Sequence, residues 1–90
     1  MSDNKVFMIF QDTNDARPFI DAVVQENPAA SITHQPGMVR FDAMGEIGIT
    51  REVLADITGR DVDLQEIHLS LISLSGNIEE DDDYFRITRH

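Results

Sequence analysis

Ninety residues carrying 7 basic and 17 acidic side chains have a formal charge of −10 with histidine neutral, a size that fits one thin-cored domain and argues against a deep, fully enclosed catalytic cavity. The cations Lys5, Arg17, Arg40, Arg51, Arg60, Arg86 and Arg89 are dispersed among more than twice as many carboxylates, so nucleic acid and anionic membrane are poor partners, and a basic protein patch or a cation fits better. The chain has no cysteine, which excludes a disulfide framework, a thiolate nucleophile and sulfur-ligated metal.

The N-terminal run Val6 to Phe10 is far shorter than the roughly 18 apolar residues of a membrane span, and a soluble, cytoplasmic protein is expected. Lys5 to Phe10 reads as an interior strand, apolar on both faces. Asp12 to Asp15 supplies helix-capping chemistry, with the cap near Asn14 or Asp15 because Pro18 belongs in a first turn. Ala16, Phe19, Ile20, Val23 and Val24 form a helical apolar stripe, which Asn27-Pro28 ends. Ala30 to His34 reads as a strand, Gln35-Pro36-Gly37-Met38 as a type II turn, and Val39 to Phe41 as the returning strand. After a turn at Ala43-Met44-Gly45, Glu46 to Ile49 is a strand. Thr50 then caps a short helix with Val53, Leu54 and Ile57 inward and Gly59 at its end. Asp61 to Glu66 is expected to be a loop or helical turn, Ile67 to Leu74 the longest strand, and Tyr84 to Thr88 the last, with Phe85 and Ile87 on one side.

The expected architecture is an α+β fold of two strand-helix-strand-strand units, helices packed on mainly antiparallel sheet. Residues 1–90 form a single small domain, and the order of elements hints at a pseudo-repeat, 5–43 and 46–88. The run Glu79 to Asp83 is expected to be a solvated, self-repelling loop between the last two strands.

Enzymatic chemistry needs a nucleophile with a base, a paired acid and base, or a metal site. His34, His68 and His90 are far apart, near a turn, in an expected strand and at the terminus, with no motif relation to a Ser or Asp, and there is no glycine-rich phosphate loop. Neither Asp61 to Glu66 nor the acidic run has the glycine of an EF-hand, which leaves only weak divalent binding at Glu79 to Asp83. Glu-x-x-His pairs of a di-iron bundle are absent. Catalytic, cofactor-binding and metal residues are therefore expected to be none.

The informative irregularity is Ile67 to Leu74. Ile67, Leu69 and Leu71 alternate with His68 and Ser70, but from Ile72 the phase inverts. Either a bulge resets the register, or Ile72 and Leu74 are exposed. Burial of both faces is one reading. The other is an interface, in which aliphatic side chains among small serines, followed by Ser75-Gly76-Asn77, dock onto another backbone.

The stretch Asp63 to Asp83, together with Ile9-Phe-Gln11, Asn14-Asp-Ala16, Asn27-Pro28 and Gln35-Pro-Gly-Met-Val39, resembles the regulatory component of bacterial multicomponent phenol hydroxylases. It is more distantly similar to component B of soluble methane monooxygenase and to toluene monooxygenase effectors. The resemblance implies a noncatalytic, cofactor-free effector that binds the oxygenase component above the helices holding its di-iron centre, coupling oxygen activation to aromatic hydroxylation. It places Ser70, Ile72, Ser73, Leu74 and Gly76 against those helices, and with Ser75 and Asn77 they are the candidate partner-binding residues. The matching positions of the methane component are more polar than Ile72 and Leu74, and its long N-terminal extension is expected to have no counterpart. Self-association through the same apolar surface stays open, as does the alternative of a small acidic protein- or calcium-binding domain without an oxygenase.

Overall fold

The computed structural model describes residues 4–89; His90 lies outside them. In chain order the elements are β1 (Lys5–Gln11), α1 (Arg17–Glu26), β2 (Ser31–Gln35), β3 (Met38–Met44), β4 (Glu46–Thr50), α2 (Arg51–Thr58), a 3₁₀ turn (Leu64–Glu66), the single helical turn α3 (Ile67–Ser70), β5 (Leu71–Ser75), β6 (Asn77–Glu80) and β7 (Tyr84–Thr88). This is an α+β fold of two antiparallel sheets, with strand orders β2-β3-β1-β5 and β4-β7-β6.

β1 lies between β3 and β5, and its two apolar faces are unequally covered: Val6, Met8 and Phe10 are fully buried, and Phe7 and Ile9 half-buried on the opposite face. Phe10 meets Phe41 edge to face at 6.0 Å. Phe85 and Ile87 of β7 bring the second sheet into the same core. The β2–β3 hairpin closes from Gln35 to Met38, with Gly37 at φ +76° as the third position of a type II turn demands.

α1 buries Phe19, Ile20, Ala22 and Val23, whereas Val24 at the rim of the stripe is exposed. Its N-cap is Ala16, one or two residues later than expected, because the chain makes a preliminary turn in which Thr13 Oγ1 accepts from the Ala16 amide at 3.2 Å. At its other end Asn27 takes the place of a strand beside β4: Nδ2 donates to the Gly48 carbonyl at 2.8 Å and Oδ1 accepts from the Gly48 amide at 3.2 Å. The Glu26 carboxylate accepts from the Thr50 amide at 2.6 Å and from its hydroxyl at 2.9 Å. Thr50 caps α2, and Gly59 at φ +74° ends it.

Two expected elements are corrected. Ile67 to Leu74 is not one strand but a helical turn followed by β5, and β5 joins the first sheet rather than the sheet of its own half. Helical spacing carries Ile67 and Ser70 inward and His68 and Leu69 outward, so the inverted phase begins as a change of secondary structure. The acidic run is not wholly a loop: Glu79 and Glu80 belong to β6, opposite Arg86 and Phe85, and only residues 81–83 form the exposed turn.

Candidate docking site

α3, β5 and the start of β6 form an exposed edge whose shape follows from three local features. Leu71 ends α3 by turning to extended backbone, φ −77° and ψ 132°. β5 then pairs with β1 as Phe10↔Leu71, Ile9↔Ser73, Met8↔Leu74 and Phe7↔Ser75, which leaves Ile72 as the extra residue of a bulge. Finally, Gly76 carries the chain from the first sheet to the second at φ +132°.

The seven candidate residues therefore divide. Ile72, 49% exposed, and Ser73 and Asn77 face outward. Leu74 packs against the core and Ser70 is buried, so both support the edge from within. Ser75 and Gly76 are half-buried. Strand periodicity places Leu69 with the core, whereas it is 77% exposed, the most open large apolar residue among those described. Ile78, on β6 beside the acidic run, is 46% exposed. Leu69 and Ile72, three residues apart, are the exposed large apolar residues of α3 and β5 and are together termed the ridge; a groove of about 420 Å³, lined in part by Leu69, lies between the β1–α1 loop and the 3₁₀ turn. Asp15, Arg60, Glu66, Leu69 and Ser70 are among its lining residues, so charges of both signs stand beside the ridge.

The charged side chains on and around this edge are largely paired within the protein. Arg51 grips Asp61 at 2.8 and 2.6 Å, and this hydrogen bonding holds the Asp61 carboxyl below its ordinary range and raises Arg51. Arg86 donates to Glu79 at 2.9 Å, Thr88 donates to Glu79 at 3.1 Å, and His68 Nε2 lies 2.9 Å from Glu80. Much of the acidic run is thus engaged within the protein. Among the described residues there is no group of three or more His, Asp or Glu side chains that could hold a metal ion, and no buried side-chain nitrogen or oxygen lacks a partner. His34 is exposed on β2 and His68 is tied to Glu80, apart in the fold. No helix among the described residues is long and apolar enough to cross a membrane.

A family model described as MmoB/DmpM matches residues 4–88. The chain belongs to the MmoB/DmpM family. The stimulatory component DmpM of phenol 2-monooxygenase from Pseudomonas sp. (strain CF600) is 40% identical to it over 80 residues, 89% of each chain. A chain in the structure of a phenol hydroxylase–regulatory protein complex superposes with a TM-score of 0.90 at 42% identity, covering 96% of this chain and 99% of that one. A second such complex gives 0.86 at 39%, covering 93% and 98%. The soluble methane monooxygenase regulatory protein B shares the MmoB/DmpM fold at a TM-score of 0.73 with 14% identity, over all of this chain and 68% of that one.

Proposed function

We propose that this chain is the regulatory component of a phenol hydroxylase: a single noncatalytic domain, working in the cytoplasm, that binds the oxygenase component and tunes its reaction. The observation that carries this reading is 40% identity to a phenol 2-monooxygenase stimulatory component across nearly the whole length of both chains. The ridge of Leu69 and Ile72, with Ser73, Ser75, Gly76 and Asn77, is the docking surface, and Ser70 and Leu74 hold it from inside. A bulge that lifts Ile72 out of an edge strand supports that choice, since an aliphatic side chain offered to solvent gains from being covered.

The mechanism is differential binding. An effector shifts an enzyme between two states only as far as it contacts one better than the other, and a difference of about 1–3 kcal/mol changes their populations roughly 5- to 150-fold. On this reading the favoured state of the oxygenase is the one whose di-iron centre couples oxygen activation to hydroxylation of the phenol.

Two measurements test it. Adding the protein to oxygenase and reductase components is expected to raise phenol consumed per NADH oxidised; an unchanged ratio and rate refutes an effector role. Ile72→Asp is expected to weaken binding about tenfold or more in titration calorimetry while leaving the circular dichroism spectrum intact, because a carboxylate there must be desolvated unpaired. Wild-type affinity for that variant removes the ridge from the interface.

A further inference from the structure

The backbone alone fixes the ridge weakly. α3 is a single turn without a side-chain cap, too short to hold its shape unaided, and β5 pairs on one side only, through a bulge. Two side chains outside the ridge reach back to its ends. At the α3 end, Glu80 of β6 places Oε1 and Oε2 2.9 and 3.2 Å from His68 Nε2, while the His68 ring stands edge-on to the buried Phe85 ring at 5.4 Å. At the β5 end, Arg89 donates through Nε and Nη2 to the Lys5 carbonyl at 3.1 and 2.9 Å and through Nη2 to Ser75 Oγ, and its backbone amide donates to the Gly45 carbonyl at 3.0 Å. One tie thus anchors the start of the ridge to the second sheet, and the other anchors its end where the two sheets meet.

We propose that Glu80 and Arg89 are positioning residues for docking: without touching the partner, they hold His68 and Ser75 so that Leu69 and Ile72 are presented at one fixed spacing. This rests on the docking reading given above. A ridge ordered before encounter spares the complex the cost of ordering it, so loss of either tie lowers affinity although no contact residue has changed.

The test is affinity for the oxygenase component by titration calorimetry, with methyl NMR of the free protein. Glu80→Ala and Arg89→Ala are each expected to bind about three- to tenfold more weakly. Their unfolding midpoints are expected to stay close to wild type, because both ties are exposed side-chain hydrogen bonds that water replaces at little cost. Glu80→Gln, whose amide oxygen still accepts from the His68 ring, is expected to recover affinity to within about twofold. In Glu80→Ala the Leu69 and Ile72 methyl resonances shift while those of Ile49 and Leu54 in the core do not. Wild-type affinity in both alanine variants, unmoved Leu69 and Ile72 methyls, or a Glu80→Gln variant as weak as Glu80→Ala overturns the proposal. If Ile72→Asp itself binds like wild type, the docking surface has been misplaced, and that failure is read separately from loss of the ties.

Discussion

At the scale of single residues, Gly76 shows what composition conceals. The sequence offers it as a small residue in a Ser-Gly-Asn stretch suited to docking, whereas in the fold it is a crowded crossing between sheets. A Cβ there meets the Thr88 carbonyl at 2.9 Å and Val6 Cγ1 at 3.2 Å, in a backbone conformation, φ +132°, that L side chains rarely adopt. Gly76→Ala is therefore expected to cost about 2 kcal/mol or more in denaturant unfolding, from strain and overpacking together. A loss below the error of the measurement refutes this close approach. Asp61 supplies a pH dependence of definite sign. Arg51 lowers its folded pKa, so the stabilisation is complete above the unfolded carboxylate pKa and is lost as pH falls through the lower folded value. The stability difference between wild type and Asp61→Asn is expected to be constant at neutral pH and to shrink in acid below about pH 4. Both groups are exposed, so the difference is small, and a gap that widens in acid contradicts the assignment.

At the scale of elements, what was legible was local. Thr50 before an apolar 3–4 spacing and Gly59 after it fix α2, and Pro36-Gly37 fixes the β2–β3 turn, because caps and turns act within a few residues. Ile67 to Leu74 misled because eight residues of mixed Ile, Leu and Ser fit a short helix plus a strand as well as one long strand. The deciding facts are distant: β1 is available for pairing, and Phe85 packs on His68. In the sequence Asn27 signals only a helix stop, yet it also occupies the Gly48 amide and carbonyl on the outer side of β4. Asn27→Ala removes both of these bonds and a third, from Nδ2 to the Val23 carbonyl at 2.9 Å, and is expected to cost about 1–2 kcal/mol in equilibrium unfolding; a neutral effect would mean that water replaces the amide without penalty. The strand orders β2-β3-β1 and β6-β7-β4 also correspond element by element, with α1 and α2 each following the first strand of its set. We propose that residues 5–43 and 46–88 descend from one strand-helix-strand-strand unit, into whose second copy the 3₁₀ turn, α3 and β5 were inserted. On that proposal the candidate docking segment is an addition to a duplicated frame, and the pattern of either half does not anticipate it.

At the scale of the whole molecule, the charge of −10 acts on encounter rather than on the fold. The sequence presents Glu79 to Asp83 as one acidic block, but the fold divides it. Glu79 and Glu80 are committed to Arg86, Thr88 and His68, and Asp81 caps its own turn by accepting from the Asp83 and Tyr84 amides at 2.7 and 3.1 Å. Asp82 and Asp83, both exposed at the tip of the turn, are thus the charges of this run best placed to act at long range. A docking partner with a basic rim would feel them before contact, and exposed charges separated by more than about 8–10 Å are screened at physiological salt. Replacing Asp82 and Asp83 by Asn moves the net charge only from −10 to −8 and leaves the Asp81 cap in place. The association rate constant with the oxygenase component, followed by stopped flow, is expected to fall about two- to fivefold at low ionic strength, with dissociation nearly unchanged. Wild type and variant should converge as salt approaches about 0.5 M, where the Debye length shrinks to a few ångströms. Equal association rates at every ionic strength would confine the role of this turn to hydration, and a change in dissociation alone would place the two carboxylates inside the interface instead of at its approach.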